Sequence, residues 1–250
     1  MPKIVAILQA RMSSSRLPGK VLRPILKQPM LAHQIARINR SKYIDELVVA
    51  TSNEQSDQAI VTFCKTSNIK CFQGSLPDVL DRFYQAAKEY KAHIVVRLTG
   101  DCPLNDAEII DRAIEEHKAN DNDYTTNSIL SDDPNNKFTF ADGLDVEVIN
   151  FETLTKLWSD TSENFYREHV TSYVRLHSSE FNVGYFHHTP DISMFRLTVD
   201  EPEDFTVVTE VFKNFADLGS LFSYRDAIEF LKANPKLSQL NKPHNIFSEE

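Results

Sequence analysis

Lys3-Ile4-Val5-Ala6-Ile7-Leu8, followed at once by Gln9-Ala10-Arg11-Met12-Ser13-Ser14-Ser15-Arg16-Leu17-Pro18-Gly19-Lys20, decides how this chain folds. The first half is an unbroken apolar run of the kind that forms a strand buried on both faces. The second half is polar, rich in small residues, and carries three fixed positive charges, Arg11, Arg16 and Lys20. A helix is expected after it, from Met30 to Arg40, which makes the stretch the opening of a βα unit. In open α/β sheets, ligands bind at the carboxyl ends of such strands. Ser13, Ser14, Ser15 and Gly19 let backbone N–H groups approach an anion, the arginines add planar forks, and Lys20 adds a mobile point charge. The loop therefore reads as a polyphosphate cradle rather than a solvated basic loop. It is not a Walker A loop: the GxxxxGK[ST] pattern is missing, and Val21 follows the lysine where Ser or Thr would bind magnesium.

Working outward, apolar runs alternate with helical spacing as far as about Thr126. Strands are expected at Ile4 to Leu8, Glu46 to Thr51, Lys70 to Phe72 and His93 to Leu98. Between them, Leu31, Ile35 and Ile38, then Ile60 and Phe63, then Leu80, Phe83, Ala87 and Tyr90 space as buried helix faces. This alternation predicts an α/β, Rossmann-like, mainly parallel sheet with helices on both faces. Asn120 to Phe140 reads as an exposed polar loop region. Beyond it, Leu144 to Ile149, Phe181 to Phe186 and Phe195 to Val199 read as strands. Tyr166 to His177, Glu203 to Asn214 and Ser223 to Asn234 read as helices, the last stopped by Pro235. We expect one domain over residues 1–250, with 138–190 as an arm or lid beside the main sheet.

The 250 residues are 41% hydrophobic and 25% charged, an ordinary globular composition that buries a core without staples. The net charge of −9 argues against broad binding to nucleic acid or acidic membranes, so the basic loop is a local feature. The N-terminal apolar run is too short to span a membrane and lacks a signal-peptide cleavage pattern, which reads as a cytoplasmic protein without membrane insertion. Cys64, Cys71 and Cys102 are odd in number and lack CxxC spacing, so they read as small buried thiols.

Polyphosphate chemistry needs charge neutralisation, and a hard cation such as magnesium prefers carboxylate oxygens, waters and phosphates. Asp101 emerges where the run Val95-Val96-Arg97-Leu98-Thr99-Gly100 stops, and Asp200 stands in the same relation to Phe195-Arg196-Leu197-Thr198-Val199. Turn formation or helix capping accounts for either acid alone. Their shared place at strand ends, with a basic loop at a third, favours a metal pair. Glu203 is expected to stabilise the first turn of the following helix.

The loop from Gln9 to Lys20, the turn Gly100-Asp101-Cys102-Pro103-Leu104, the stretch Asp142-Gly143-Leu144-Asp145-Val146-Glu147 and the run Val199-Asp200-Glu201-Pro202-Glu203-Asp204 together resemble the cytidylyltransferases that make CMP-activated acidic sugars. Arg167-Glu168-His169-Val170-Thr171 adds a match to the SpsF-like branch of that group, and the resemblance covers roughly Lys3 to Phe212. It implies the nucleotide-diphospho-sugar transferase fold, CTP and an acidic sugar as partners, Mg2+ as cofactor, and a homodimer formed through the central arm. Arg11 and Lys20 would hold the CTP phosphates with help from Ser13 and Arg16, while backbone around Leu8 and Ala10 would line the base. Asp101 and Asp200 would carry magnesium, and Arg82 falls in the family's base-reading segment, where a surface helix charge is the alternative. With Arg11 and Lys20 these two acids form the expected catalytic set.

Cys102 departs from the CMP-Kdo synthetases, which carry an acid there. Asp142, Asp145 and Glu147 are candidates for the acceptor's hydroxyls, with surface pairing as the alternative. His169 is a candidate acceptor contact or base, with a polar structural contact as the alternative, and His187-His188 reads as strand-end surface. Two rival readings remain: a glycosyltransferase using Asp121-Asn122-Asp123 for metal and diphosphate, and a nucleotide-binding protein without turnover.

Overall fold

The computed structural model describes residues 2–128 and 138–241. The strands are β1 (Ile4–Gln9), β2 (Pro24–Ile25), β3 (Gln28–Pro29), β4 (Glu46–Ser52), β5 (Lys70–Gly74), β6 (Ile94–Thr99), β7 (Tyr124–Thr126), β8 (Glu147–Asn150) and β9 (Val183–Tyr185). The helices are α1 (Met30–Ile38), α2 (Gln58–Thr66), α3 (Val79–Glu89), α4 (Ala107–Ala119), α5 (Phe151–Asp160), α6 (Asn164–His169), α7 (Ser172–Leu176), α8 (Pro202–Asn214), α9 (Tyr224–Ala233) and α10 (Pro235–Ser238). Seven strands form one sheet in the order β5-β4-β1-β6-β8-β7-β9, and β2 and β3 form a separate antiparallel pair. β1 runs parallel to both neighbours, with Leu8 opposite Val49 on one side and Leu98 on the other.

The continuous apolar reading of β1 follows from this central place. Ile4, Ala6 and Leu8 join one core with residues of α1, α4, α8 and α9, whereas Val5 and Ile7 join the other with α3 and α5. Helices thus cover both faces of a mainly parallel sheet, the Rossmann-like arrangement that the alternation predicted and that the resemblance assigned to the nucleotide-diphospho-sugar transferase fold. Among the described residues no helix is long and apolar enough to cross a membrane. Cys64 and Cys102 are buried free thiols and Cys71 is half-buried.

The second half of the chain departs from the expected pattern in four places. The segment 138–190 supplies β8, which lies inside the sheet, antiparallel to both β6 and β7. The polar region 120–140 contains β7, and its residues 129–137 fall outside those described. Tyr166 to His177 is not one helix: Val170 adopts φ 46° and separates α6 from α7. Phe195 to Val199 is not a ladder strand, because its backbone bonds are spent on loops. Leu197 and Thr198 donate to the Asp142 carbonyl at 2.6 and 3.1 Å, and Val199 donates to the Asp101 carbonyl at 2.7 Å. Its apolar side chains, Phe195, Leu197 and Val199, still enter the core, which is why the run looks like a strand in sequence.

That clasp needs a glycine at 143. Gly143 has φ +96°, and a Cβ there would lie 2.3 Å from the Thr198 nitrogen and 2.5 Å from the Leu197 carbonyl carbon. Backbone is the obstacle, so relief requires moving the segment that delivers Asp200. Gly143→Ala is expected to lower stability by roughly 2 kcal/mol or more, read from the denaturant midpoint. An unchanged midpoint would contradict the close approach.

Candidate active site

The loop after β1 is folded back on itself by specific contacts. Asp57 is buried and accepts the Met12 N–H at 2.7 Å, the Ser52 N–H at 3.1 Å and the Ser52 hydroxyl at 2.5 Å, which pins the loop to the end of β4. Gly19, at φ +69°, donates its N–H to the Met12 carbonyl at 2.9 Å and reverses the chain. A short 3-10 turn, Lys20–Leu22, follows and sends the Lys20 side chain inward.

Lys20 joins the two strand-end aspartates. Its Nζ donates to the Val199 carbonyl at 2.6 Å and to Asp200 Oδ1 at 2.9 Å, and lies 3.6 Å from Asp101 Oδ2. Asp200 Oδ2 also lies 3.2 Å from Arg16 Nη2 and 3.1 Å from Arg196 Nη2. Burial opposes the charge on Asp200, but Lys20, Arg16 and Arg196 outweigh it and hold the carboxyl below its ordinary pKa. Neither aspartate caps a helix. α4 is capped by Asp106, which accepts the Glu108 N–H at 2.9 Å, and α8 by the reciprocal pair Glu201 and Asp204. Capping is thereby removed as an explanation of either acid, while Asp101 does sit in the turn closed by the Cys102 N–H on the Thr99 carbonyl at 3.2 Å.

Buried polar bonds fix the turn that carries Asp101. Gln34 Nε2 donates to the Thr99 carbonyl at 2.7 Å and to Asn105 Oδ1 at 2.8 Å. The fully buried Arg37 spans Asn105, Asp106 and the Phe222 carbonyl. α1 therefore holds the end of β6 in place with groups whose removal would leave buried partners unsatisfied.

Lys20, Asp101 and Asp200 border a cleft of about 270 Å³ at the carboxyl ends of β1 and β6. Ala10, Arg11, Arg16, Lys20, Arg82, Asp101, His169 and Asp200, all candidates from the sequence, line it together. Ser14 and Ser15 line it too; Ser13 is not among the lining residues, and Leu8 is wholly buried within β1. Arg82 is not a surface charge: it is buried, and its Nη1 donates to the Ser75 carbonyl at 2.9 Å. Burial, reinforced by the charges of Arg11 and Arg97, brings its pKa down to about 10. Four guanidiniums, those of Arg11, Arg16, Arg82 and Arg97, thus line one small space, a field that favours a polyanion.

Arg97 and Thr99 line the cleft as well, although the sequence reading assigned them no role. A single charge inside the apolar run Val95-Val96-Arg97-Leu98 was the available signal. Both also line a second cavity of about 260 Å³, together with Ser128, Asp145, Glu147 and Arg175. Asp145 and Glu147 are therefore brought together there. Asp142 is drawn elsewhere, into a 2.5 Å ion pair with Arg196.

Arg167 acts through its neighbours. Its guanidinium holds Asp78, the cap of α3, at 2.6 and 3.0 Å and donates to the Trp158 carbonyl, which sets α6 so that Glu168 and His169 reach the cleft. The rival motif is spent locally: Asn122 Nδ2 donates to Thr125, and Asp123 accepts the Asn182 N–H. It precedes β7 and so lies at the amino end of that strand, away from the cleft.

Burial raises the Asp145 pKa to about 7, with Asp142 adding to the effect. The folded state therefore binds more protons than the unfolded chain between its ordinary value and neutrality, and stability falls as pH rises through that window. Asp145→Asn is expected to raise the melting temperature relative to the parent more at pH 8 than at pH 5, measured in paired thermal scans. Equal shifts at the two pH values would remove the titration from Asp145.

Comparison with known proteins adds the family. The family model described as cytidylyltransferase matches residues 5–243. The spore coat polysaccharide biosynthesis protein SpsF of Bacillus subtilis is 33% identical over 245 residues, covering 94% of this chain and 96% of that protein. A solved cytidylyltransferase from Leptospira borgpetersenii superposes with a TM-score of 0.89 at 34% identity, covering 98% of this chain and 100% of that one. A CMP:2-keto-3-deoxy-manno-octonic acid synthetase complexed with CTP shares the fold, at TM-score 0.63 and 18% identity, over 85% of this chain and 99% of the other.

Proposed function

This chain belongs to the cytidylyltransferase family, as an SpsF-like nucleotidyltransferase, and from that premise we propose that it transfers CMP from CTP to a hydroxyl of an acidic sugar or sugar-like acceptor, releasing pyrophosphate, in surface polysaccharide or glycoconjugate biosynthesis. The observation that carries the reading is the convergence of Lys20 on Asp101 and Asp200 beside a cleft faced by Arg11, Arg82 and Arg97.

Arg11, Arg16 and Lys20 hold the phosphates of CTP, and the backbone near Ala10 lines the base. The acceptor occupies the adjoining cavity, where Asp145 and Glu147 meet its hydroxyls and His169 stands at the rim of the cleft. The acceptor oxygen forms a bond to the α-phosphorus while the bond from that phosphorus to the bridging oxygen breaks, and pyrophosphate leaves. Positioning and charge neutralisation lower the barrier. The two carboxylates fit a magnesium ion: they already converge on a cation, the Lys20 ammonium, and with phosphates and waters they complete a hard-oxygen shell. When bound, the ion supplies neutralisation of phosphate charge and a lowered pKa at the attacking hydroxyl. A cytoplasmic location and a homodimer through 138–190 complete the reading.

Incubating the protein with CTP, ATP, GTP or UTP against a panel of acidic sugars, with pyrophosphate as readout, tests it. CTP-dependent pyrophosphate release is expected. Nucleoside diphosphate released from a sugar donor would establish a glycosyltransferase instead, and CTP binding without pyrophosphate from any acid would establish a binding protein.

A further inference from the structure

The nucleotide cleft and the cavity beside it share a wall. Among the described residues, Arg97 and Thr99 line both spaces. They follow Val95 on one face of β6, since side chains two apart on a strand point the same way, and Val95 belongs to the core that packs against α3. Arg97 stands where that core meets the cleft, its guanidinium 5.6 Å from the centroid of the Phe83 ring on α3. The fork itself straddles the wall. Nη1 pairs at 2.5 Å with Oε2 of Glu147, which lines the second cavity, and Nη2 reaches at 3.5 Å to Oε1 of Gln9, which lines the nucleotide cleft. The Gln9 contact is too long for a strong hydrogen bond, and Nε has no hydrogen-bond partner among the described residues. Glu147 thus fixes one arm of the fork, while the other, turned toward the nucleotide cleft, keeps capacity for a stronger acceptor.

For the acceptor oxygen to reach the α-phosphorus, the α-phosphate has to lie where the two spaces meet. Arg11, Arg16, Lys20 and Arg82 line the nucleotide cleft and not the second cavity, so Arg97 is the cleft cation placed at that junction. Resting on the cytidylyl-transfer reading above, we propose that Arg97 is a catalytic residue whose Nη2 donates to a non-bridging oxygen of the CTP α-phosphate, in place of its weak contact with Gln9. As the acceptor oxygen bonds to the α-phosphorus, the bridging oxygen leaves with the electron pair of its bond and the hydroxyl proton passes to water. Arg97 stays protonated and acts through charge alone. The transferred group spreads its charge over the equatorial oxygens, where a donor already held in place needs no reorganisation. The contacts with Glu147 and Phe83 supply that holding.

The probes are cytidine and CMP, with affinities read by calorimetric displacement of CTP. CMP carries the α-phosphate and cytidine lacks it, so the ratio of their affinities reports contacts to that group without turnover. Arg97→Met strands the buried Glu147 carboxylate, and it is therefore made both alone and on a Glu147→Gln background, whose amide oxygen can still accept the Thr171 hydroxyl. Relative to the same background, the CMP-to-cytidine ratio is expected to fall roughly tenfold or more with cytidine affinity unchanged, and kcat for pyrophosphate release to fall about a hundredfold. Arg97→Lys, which keeps a cation beside Glu147, should recover part of both. A ratio within about threefold of the background, less than one charged hydrogen bond is worth, would overturn the contact, as would equal losses for cytidine and CMP. A raised acceptor KM at unchanged kcat would overturn it in favour of an acceptor contact. In each of these cases pyrophosphate release by the parent would leave cytidylyl transfer standing. A parent that binds CTP and releases no pyrophosphate with any acid would overturn the function and the catalytic role together.

Discussion

Asp101→Asn and Asp200→Asn are each expected to lower CTP-dependent turnover by at least on the order of a hundredfold. Asn is the informative substitution because it keeps size and hydrogen bonding and removes charge, and because it would serve almost as well as Asp in a cap. Neither residue is a cap, since Asp106 begins α4 and Glu201 with Asp204 begins α8. Asp204 provides the contrast. Its carboxylate accepts the N–H groups of Asp200 and Glu201 at 2.9 and 3.0 Å and pairs with Arg196. Asp204→Asn should therefore shift the denaturation midpoint more than Asp101→Asn does. Steady-state pyrophosphate release and denaturant unfolding on the three variants separate the roles. Turnover within about threefold of the parent in either Asp101→Asn or Asp200→Asn would remove that residue from the reaction, because losing a single preorganised charge costs far more than this.

The parts of the site legible in sequence are those set by local rules. β1 announces itself because both its faces are buried, and the loop after it because small residues and fixed charges fall together at a strand end. Asp101 is legible as the residue beyond a β-branched run and a glycine. Where contacts come from distant segments, the pattern fails. The 195–199 run is buried as a strand is, yet its N–H groups go to the carbonyls of Asp142 and Asp101, a pairing that depends on Gly143 and leaves no mark on local periodicity. Arg82 shows a similar blindness. Its helical spacing fits an exposed charge as well as a buried one, and only the packing of α3 beneath the cleft decides. Arg97 acquires meaning only when β8 enters the sheet antiparallel to β6 and brings Glu147 opposite it. No spacing rule over some fifty residues encodes that register.

Lys20→Met carries the second large effect, because one ammonium serves two carboxylates and a carbonyl. Its Nζ lies 2.9 Å from Asp200, 3.6 Å from Asp101 and 2.6 Å from the Val199 oxygen, with the side chain only 9% exposed. Removing it is expected to weaken CTP binding by more than about tenfold through loss of a charge-assisted phosphate contact. It should also cost ~2 kcal/mol of stability, between the values for exposed and fully buried pairs. The pH dependence has a definite sign. The Asp200 pKa is depressed in the folded state, so the stability it confers is present above the ordinary carboxylate range and is lost as pH falls through the depressed value. The gap between parent and variant should accordingly be widest near neutrality and close in acid. A further consequence separates a phosphate ligand from a mere internal counter-ion: with the ammonium gone, Asp101 and Asp200 repel one another, and magnesium without nucleotide should raise the variant's melting temperature more than the parent's. A folded Lys20→Met protein with parental CTP affinity by calorimetry would leave Lys20 as a structural cation, and the phosphates would then rest on Arg11, Arg16 and Arg82.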